Sequence, residues 1–444
     1  MPDLNGFPYF EVEFNKQGEV FDQEQAKALT DFLATGGTSD LFVISHGWNN
    51  DMGDARGLYE RFFDCVRQVV DSGKVSGIST RQFAIMAVLW PSKKFADKNL
   101  IPSGAAGAES PITNDFLRRE LEELKGVFDD PNANAILDQA KQLVPDLEDS
   151  PKARRKFADL LRSILPPQTA TDVDAAGDFL RLPGDEVFRR LSKPSPLATA
   201  KPTAKGGSAA ITGGPAATTG GSAVSLGDLF SGIKAGALKL LNFTTYYQMK
   251  ERAGIVGSTG VNQLLRTIRN QNPSIKLHLI GHSFGGRVVT AAAAGPEDQP
   301  AVDVATMTLL QAAFSHYGFA EHYEGANNGF FRRVVADKMV SGPIVISCTQ
   351  NDQAVGKMYP LASLLAGQVA SDLGDKNDLY GGIGRNGAQK TPEASDGTLL
   401  SLDEAYQFEP GKLHNLNADA VIHDHSDICH NEVAYAVLNA VALT

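Results

Sequence analysis

A serine flanked by glycines, in the segment Gly281-His282-Ser283-Phe284-Gly285-Gly286, limits the possible folds of this chain more than any other segment. Residues 275–280 before it form an apolar run of strand length, and residues 285–294 after it are mostly small, as in a closely packed helix. A serine at such a junction sits in a strained turn, so the positions two before and two after it must be small. The sequence therefore predicts a nucleophile elbow that lifts the Ser283 hydroxyl above a sheet. A chance pattern in a chain with 43 glycines is the alternative, but it does not explain the flanking strand and helix.

Predicted strands and helices alternate on both sides of this turn. Residues 41–45 and 83–90 are apolar runs of strand length, and the stretch between them has helical spacing. Beyond the turn the sequence predicts further strands at 305–312 and 343–348, a loop-rich stretch at 373–397, an extended segment at 415–422 and a final helix at 432–443. Such alternation predicts an α/β fold, with a mostly parallel central sheet covered by helices.

The alternation is interrupted by a long middle segment. Residues 96–245 contain helical spacing but no strong strand, which predicts a helical insertion between two parts of one core, residues 1–95 and 246–444. Within the insertion, residues 193–225 include 27 Pro, Gly, Ala, Ser and Thr among 33 residues, with no acidic or aromatic side chain. That composition buries too little apolar surface to offset the entropy of ordering, so it predicts a flexible linker.

A second motif, Ser45-His46-Gly47-Trp48-Asn49, ends the predicted strand at 41–45. A His-Gly turn at this position can place a backbone N–H opposite the N–H of Phe284, the residue after the serine. The two N–H groups would then form an oxyanion hole, with Trp48 supplying the second donor. The alternative is an ordinary strand-ending turn in which His46 and Trp48 only pack.

Together these motifs resemble the α/β-hydrolase fold, and in particular its bacterial esterase/lipase-like branch. The similarity rests on the Ser283 elbow, on His46-Gly47-Trp48-Asn49, on Trp90-Pro91-Ser92 after the next strand, and on the segment from Tyr246 to Ala253. It covers residues 1–95 and 246–444 and implies a serine hydrolase, with the insertion over the strand ends as a possible lid. The elbow is specific for the fold and not for a substrate.

The resemblance implies the chain order serine, acid, histidine. Asp352 follows the predicted strand at 343–348 and is the expected acid, although Asn351-Asp352 also suits a simple Asx turn. Asp303 is a weaker candidate, and three further aspartates are scattered through an irregular stretch: Asp372, Asp375 and Asp378.

The histidine is expected in the loop before the final helix. His425 matches the family's placement best, and His423 and His430 are its competitors. The same loop reads His423-x-His425-x-Asp427, which resembles a metal-binding motif. A dinuclear site needs more ligands than the rest of the chain offers at suitable spacing, so we expect no metal and no cofactor.

Composition narrows the possible partners and compartments. The net charge of −11 and the pI of about 5.3 argue against nucleic-acid or anionic-membrane binding, because both surfaces would repel the chain. No apolar run reaches the ~18–20 residues of an integral membrane segment, and the N-terminal residues lack the pattern of a signal peptide. The three cysteines are too few for a disulfide framework. The default expectation is a cytoplasmic protein, with signal-peptide-independent export still open.

These observations predict hydrolysis of a small-molecule or lipid ester through Ser283, His425 and Asp352, with His46, Gly47, Gly281, His282 and Gly285 supporting the two turns. Several alternatives use the same residues: a peptidase, an amidase, an acyltransferase or an exported phospholipase-type effector. A non-catalytic binding protein on the same scaffold is a further alternative. The sequence does not fix the oligomeric state.

Overall fold

The computed structural model describes residues 2–48, 50–92, 112–165, 176–192, 232–352, 354–355, 376 and 378–444. Its centre is a nine-stranded sheet in the order β1-β2-β4-β3-β5-β6-β7-β9-β8, parallel throughout except where β1 meets β2. The strands are β1 Asp3–Leu4, β2 Phe7–Glu13, β3 Asp40–Ser45, β4 Phe83–Leu89, β5 Lys276–His282, β6 Thr306–Leu310, β7 Ile344–Cys348, β8 Ala394–Thr398 and β9 Leu413–Asn417. The predicted α/β class with a mostly parallel sheet is confirmed.

Helices cover both faces of the sheet. They are α1 Gln23–Ala34, α2 Met52–Ser72, α3 Asn114–Glu123, α4 Ala133–Leu143, α5 Pro151–Ser163, α6 Ala176–Arg181, α7 Gly184–Leu191, α8 Ile233–Ile255, α9 Asn262–Gln271, α10 Phe284–Ala294, α11 Arg332–Ala336, α12 Ile383–Asn386 and α13 Asn431–Ala442. Side chains alternate along β3: Leu41 and Val43 join the core under α1 and α8–α10, and Phe42 and Ile44 join the core under α2 and α13. Burial on both faces explains why the central strands are uniformly apolar.

The described residues between β4 and α8, 112–165 and 176–192, form helices that pack around α8. Helices α3, α5 and α7 contact α8, and their apolar side chains continue the core on that face of the sheet. Helix α8 runs from Ile233 to Ile255, so the predicted boundary between residues 245 and 246 lies inside it. Almost every residue of α8 from Ala235 to Lys250 is buried. A helix that is buried on all sides lacks the alternation of apolar and polar faces by which a helix is recognised in the sequence. The predicted linker at 193–225 lies outside the described residues.

A π-helical segment, Val256–Val261, joins α8 to α9. Two glycines in it allow close packing on opposite sides. A Cβ on Gly257 would collide with the Val288 carbonyl of α10, and a Cβ on Gly260 would collide with the Gly18 carbonyl in the turn after β2. The segment therefore holds the long helix against both α10 and the N-terminal strand region.

Two boundaries near the end of the sheet differ from the predicted ones. The stretch 373–397 was predicted as loop, but its last residues form β8, an exposed edge strand of Ala-Ser-Asp-Gly-Thr. These residues have low strand propensity, and pairing with β9 determines their conformation. The extended segment predicted at 415–422 is β9, which begins two residues earlier and ends at Asn417.

A buried polar network connects β3, β5 and β6 near their amino-terminal ends. The Asp40 carboxylate of β3 accepts hydrogen bonds from His278 Nε2 of β5 at 2.9 Å and from Arg81 Nη1 at 2.7 Å, and His278 Nδ1 lies 2.9 Å from the Thr306 hydroxyl of β6. Burial alone would raise the pKa of the Asp40 carboxyl, but its hydrogen bonds with His278, Ser39 and Arg81 lower it to about 2. Burial lowers the pKa of His278, so Arg81 supplies the positive charge.

We expect Asp40→Asn to lower the free energy of unfolding by about 3 kcal/mol at pH 7, because the largely buried Arg81 guanidinium then loses its carboxylate and keeps only its hydrogen bonds to Thr444. The folded-state pKa is depressed, so the contribution is fully present above pH 3.8 and is lost as the pH falls towards 2. Urea unfolding at several pH values measures both the loss of stability at pH 7 and its dependence on pH. Asp31→Asn, in an exposed pair with Lys27, is the control and should leave stability nearly unchanged. Equal stabilities for the two variants would contradict the prediction.

Candidate active site

Ser283 occupies a strained turn between β5 and α10. Its backbone has φ 56° and ψ −125°, a conformation that non-glycine residues rarely adopt. The glycines beside it are required by close contacts. A Cβ on Gly281 would lie 2.5 Å from the Gly286 nitrogen, and a Cβ on Gly285 would collide with the Ser45 carbonyl oxygen at the end of β3. The turn between β5 and α10 is therefore both strained and closely packed.

The structure brings Ser283, His425 and Asp352 into one hydrogen-bonded chain. Ser283 Oγ lies 2.8 Å from His425 Nε2, and His425 Nδ1 lies 2.8 Å from Asp352 Oδ2. The three residues follow β5, β7 and β9, whose carboxyl ends lie at the same edge of the sheet. The sequence prediction of these three residues as neighbours therefore agrees with their positions in the structure.

The Asp352 carboxylate is fully buried and divides its two oxygens between two partners. Oδ2 accepts from His425, and Oδ1 accepts from the Val355 N–H at 2.9 Å. The residue thus caps a local turn and also contacts the His425 imidazole. Burial alone would lower the pKa of His425, but the charge of Asp352 and its hydrogen bond outweigh burial and raise that pKa above 6.5.

The competing histidines and aspartates lie elsewhere. His423 Nδ1 and His430 Nε2 both contact Asp427, at 3.3 and 2.8 Å, and so order the loop that carries His425. The Asp303 carbonyl accepts from Arg269, and Asp378 caps the turn to Tyr380. Asp372 and Asp375 lie outside the described residues. Within the part of the chain that is described, no group of three or more His, Cys, Asp or Glu side chains is arranged to hold a metal ion.

The loops that carry the acid and the histidine are joined by hydrogen bonds that sequence reasoning missed. Asn351 Nδ2 donates to the carbonyls of Asp419 and Ile422, at 3.0 and 2.9 Å, and Thr349 Oγ1 donates to the Asp419 carboxylate at 2.7 Å. The signal was a polar run, Thr-Gln-Asn, directly after a buried strand. These bonds fix the distance between Asp352 and His425 across two separate segments.

His282 adds a contact from the elbow to the same loop. Its Nε2 lies 2.8 Å from the His425 carbonyl oxygen, so Nε2–H is the donor. Burial lowers the pKa of His282 to about 3, with a smaller effect from His425, which keeps the ring neutral. His425 is therefore held through its main chain as well as through its ring.

The turn after β3 lies against the elbow. A Cβ on Gly47 would be 2.5 Å from the Ser283 Cβ, so only glycine fits there. The Trp48 ring packs against the rings of Tyr246 and Phe284, with centroids 6.5 and 5.9 Å apart. Phe284 is the first residue of α10, where backbone N–H groups have no partner within the helix. Asn49 lies outside the described residues.

This arrangement can activate a hydroxyl. A neutral imidazole beside a serine accepts its proton, and a buried carboxylate on the far side of the ring stabilises the resulting cation. The positive end of α10 also points at the serine and favours negative charge there.

Comparisons of the chain with protein-family models, with curated proteins and with solved structures found no match. Membership of the α/β-hydrolase class therefore stays a prediction from the motif residues. None of the helices described here is both long enough and apolar enough to traverse a bilayer.

We expect Asp352→Asn to lower the pKa of the His425 imidazole, because it removes the groups that hold this pKa above 6.5. NMR titration of the histidine ring signals measures the change. Asp427→Asn is the matched control in the neighbouring loop, since Asp427 contacts His423 and His430 instead. An unchanged His425 pKa in Asp352→Asn would contradict the described contact.

Proposed function

We propose that this protein is a serine hydrolase of the α/β-hydrolase class that cleaves carboxylic esters. The observation that carries the proposal is the continuous hydrogen-bonded chain from Ser283 through His425 to the buried Asp352. The strained backbone of Ser283 adds support, because strain of this kind persists where the surrounding structure maintains it and is common at active sites.

In the proposed reaction, Ser283 Oγ attacks the ester carbonyl carbon while its proton passes to His425 Nε2. The carbonyl oxygen becomes an oxyanion, which accepts hydrogen bonds from the N–H groups of Trp48 and Phe284. The C–O bond to the alcohol then breaks, His425 gives its proton to the leaving alcohol, and the acyl group remains on Ser283. Water, deprotonated by His425, releases the acid and restores the serine by the same steps.

Esters are favoured over amides on chemical grounds. An ester alcohol leaves readily, whereas an amide nitrogen must be protonated before the C–N bond can break. The alternatives on the same residues remain a peptidase, an amidase, an acyltransferase or an exported phospholipase-type effector. Turnover of matched ester and amide substrates, with and without an added acyl acceptor, distinguishes the hydrolytic reactions from transfer.

The helical insertion is proposed as a lid that selects the acyl group. The support is that helix α8 begins inside the insertion, at Ile233, and continues into the core, where its Tyr246 ring packs on the rings of Trp48 and Phe284. Ligands of open α/β sheets bind beyond the carboxyl ends of the strands, where these residues lie.

We expect a fluorophosphonate probe to label Ser283 in the wild-type protein, because the paired imidazole makes its oxygen a nucleophile. Peptide mapping by mass spectrometry identifies the labelled residue. Ser283→Ala should abolish labelling. Ser315→Ala is the matched control, since Ser315 and Ser283 have the same exposure, 5%. A folded wild-type protein that is neither labelled nor active on esters would instead favour the non-catalytic binding protein.

A further inference from the structure

His46 lies beneath the turn that contacts the serine and is fully buried. Its ring stacks on Trp90, with centroids 5.6 Å apart and an interplanar angle of 15°. Its main chain is held on both sides: its N–H donates to the Tyr59 hydroxyl at 2.8 Å, and its carbonyl accepts from Trp90 Nε1 at 3.0 Å. These contacts explain why His-Gly-Trp-Asn and Trp-Pro-Ser occur together, since the two motifs form one packed unit.

The contacts of the ring fix the position of its proton. The Trp90 backbone N–H donates to His46 Nε2 at 3.3 Å, so Nε2 carries the lone pair. The proton must then be on Nδ1, which lies 2.9 Å from the Gly47 carbonyl oxygen and donates to it. Burial lowers the pKa of His46 to about 4, so the ring keeps this single neutral form at ordinary pH.

This hydrogen bond sets the plane of the next peptide. The Gly47–Trp48 peptide is trans, so its C=O and N–H groups point in opposite directions. Because the Gly47 carbonyl is turned towards the His46 ring, the Trp48 N–H is turned away from that ring. Asn50 Nδ2 contacts the same carbonyl at 3.4 Å and supports this orientation. On its other side, Gly47 lies against Ser283.

We propose that His46 is a positioning residue, whose Nδ1–H directs the Trp48 N–H at the oxyanion. The proposal rests on the proposed function, because an oxyanion forms only if Ser283 attacks a carbonyl. The His46 ring contacts the Gly47 carbonyl and Trp90, and its effect on the reaction passes through the Gly47–Trp48 peptide. It acts by holding one peptide so that the donor is already oriented when negative charge develops, and such preorganised donors cost no reorganisation during the reaction.

Two amide substitutions of different length separate this role from simple packing. In His46→Asn the side-chain NH₂ replaces Nδ1–H and can still donate to the Gly47 carbonyl. In His46→Gln the NH₂ lies at the position of Nε2 and cannot. Both variants lose the ring stacking on Trp90, so we expect similar losses of thermal stability from the two.

We expect His46→Gln to lower kcat/KM on a short-chain p-nitrophenyl ester about 10²-fold, as for loss of one oxyanion donor, with KM nearly unchanged. His46→Asn should retain most of kcat. Affinity for an alkylboronic acid, which forms a tetrahedral anion on the serine, should fall in parallel with kcat/KM. The Trp48 amide proton should shift downfield in NMR spectra when the boronate binds to the wild type and to His46→Asn, but not to His46→Gln.

Equal losses of kcat in the two variants, or a Trp48 amide signal that does not respond in the wild type, would overturn the proposal. If neither variant folds, the wild type provides the test: ¹⁵N NMR of the His46 ring should show a protonated Nδ1 and an unprotonated Nε2. A proton on Nε2 would overturn the proposal, because Nδ1 could then not donate to the Gly47 carbonyl. Failure of the proposed function is distinguishable, since the wild type itself would then react with neither probe nor ester.

Discussion

The architecture of the site depends on one close approach, that of Gly285 to the end of β3. The first turn of α10 lies so near to the carbonyls of Ser45 and His46 that no side chain fits between them. This contact brings together two segments that are far apart in the chain, and it places Gly47 against Ser283. Without it, the helix that follows the serine would move away from the sheet, and the turn after β3 would lose its neighbour. The neutral, buried His46 ring stacks on Trp90 and supports the same turn.

On the other side of the serine, the geometry depends on polar contacts between loops. Asp352 and His425 follow different strands, and the hydrogen bonds of Asn351 and Thr349 to the His425 loop hold these segments together. Apolar packing and backbone hydrogen bonding thus position the serine, whereas side-chain hydrogen bonds position its partners. Hydrogen bonds are directional, so they fix the angle of an imidazole more exactly than apolar contact does.

The parts of the fold that could be predicted from the sequence have local causes. The buried strands are continuous apolar runs, and the elbow needs small residues at fixed positions around Ser283, so both leave a pattern in a short window. The remaining parts depend on distant partners. Helix α8 is buried on every side and shows no amphipathic pattern in its sequence. Strand β8 is a polar segment whose extended conformation depends on pairing with β9. The contacts of Asn351 join segments about 70 residues apart. His425 was favoured over its two neighbours by its position before the last helix, and His423 and His430 proved to share Asp427 instead.

The separation of the site residues along the chain has a consequence for synthesis. Ser283 and His425 are 142 residues apart, and the imidazole is the later of the two to be made. At a ribosomal rate of about 5–20 residues per second, that interval lasts roughly 7 to 30 seconds. During this time β3, β5 and their turns already exist in the growing polypeptide, but Ser283 has no hydrogen-bonded base. On the ribosome the nascent chain therefore carries Ser283 as an ordinary hydroxyl for about a third of its elongation, 142 of 444 residues.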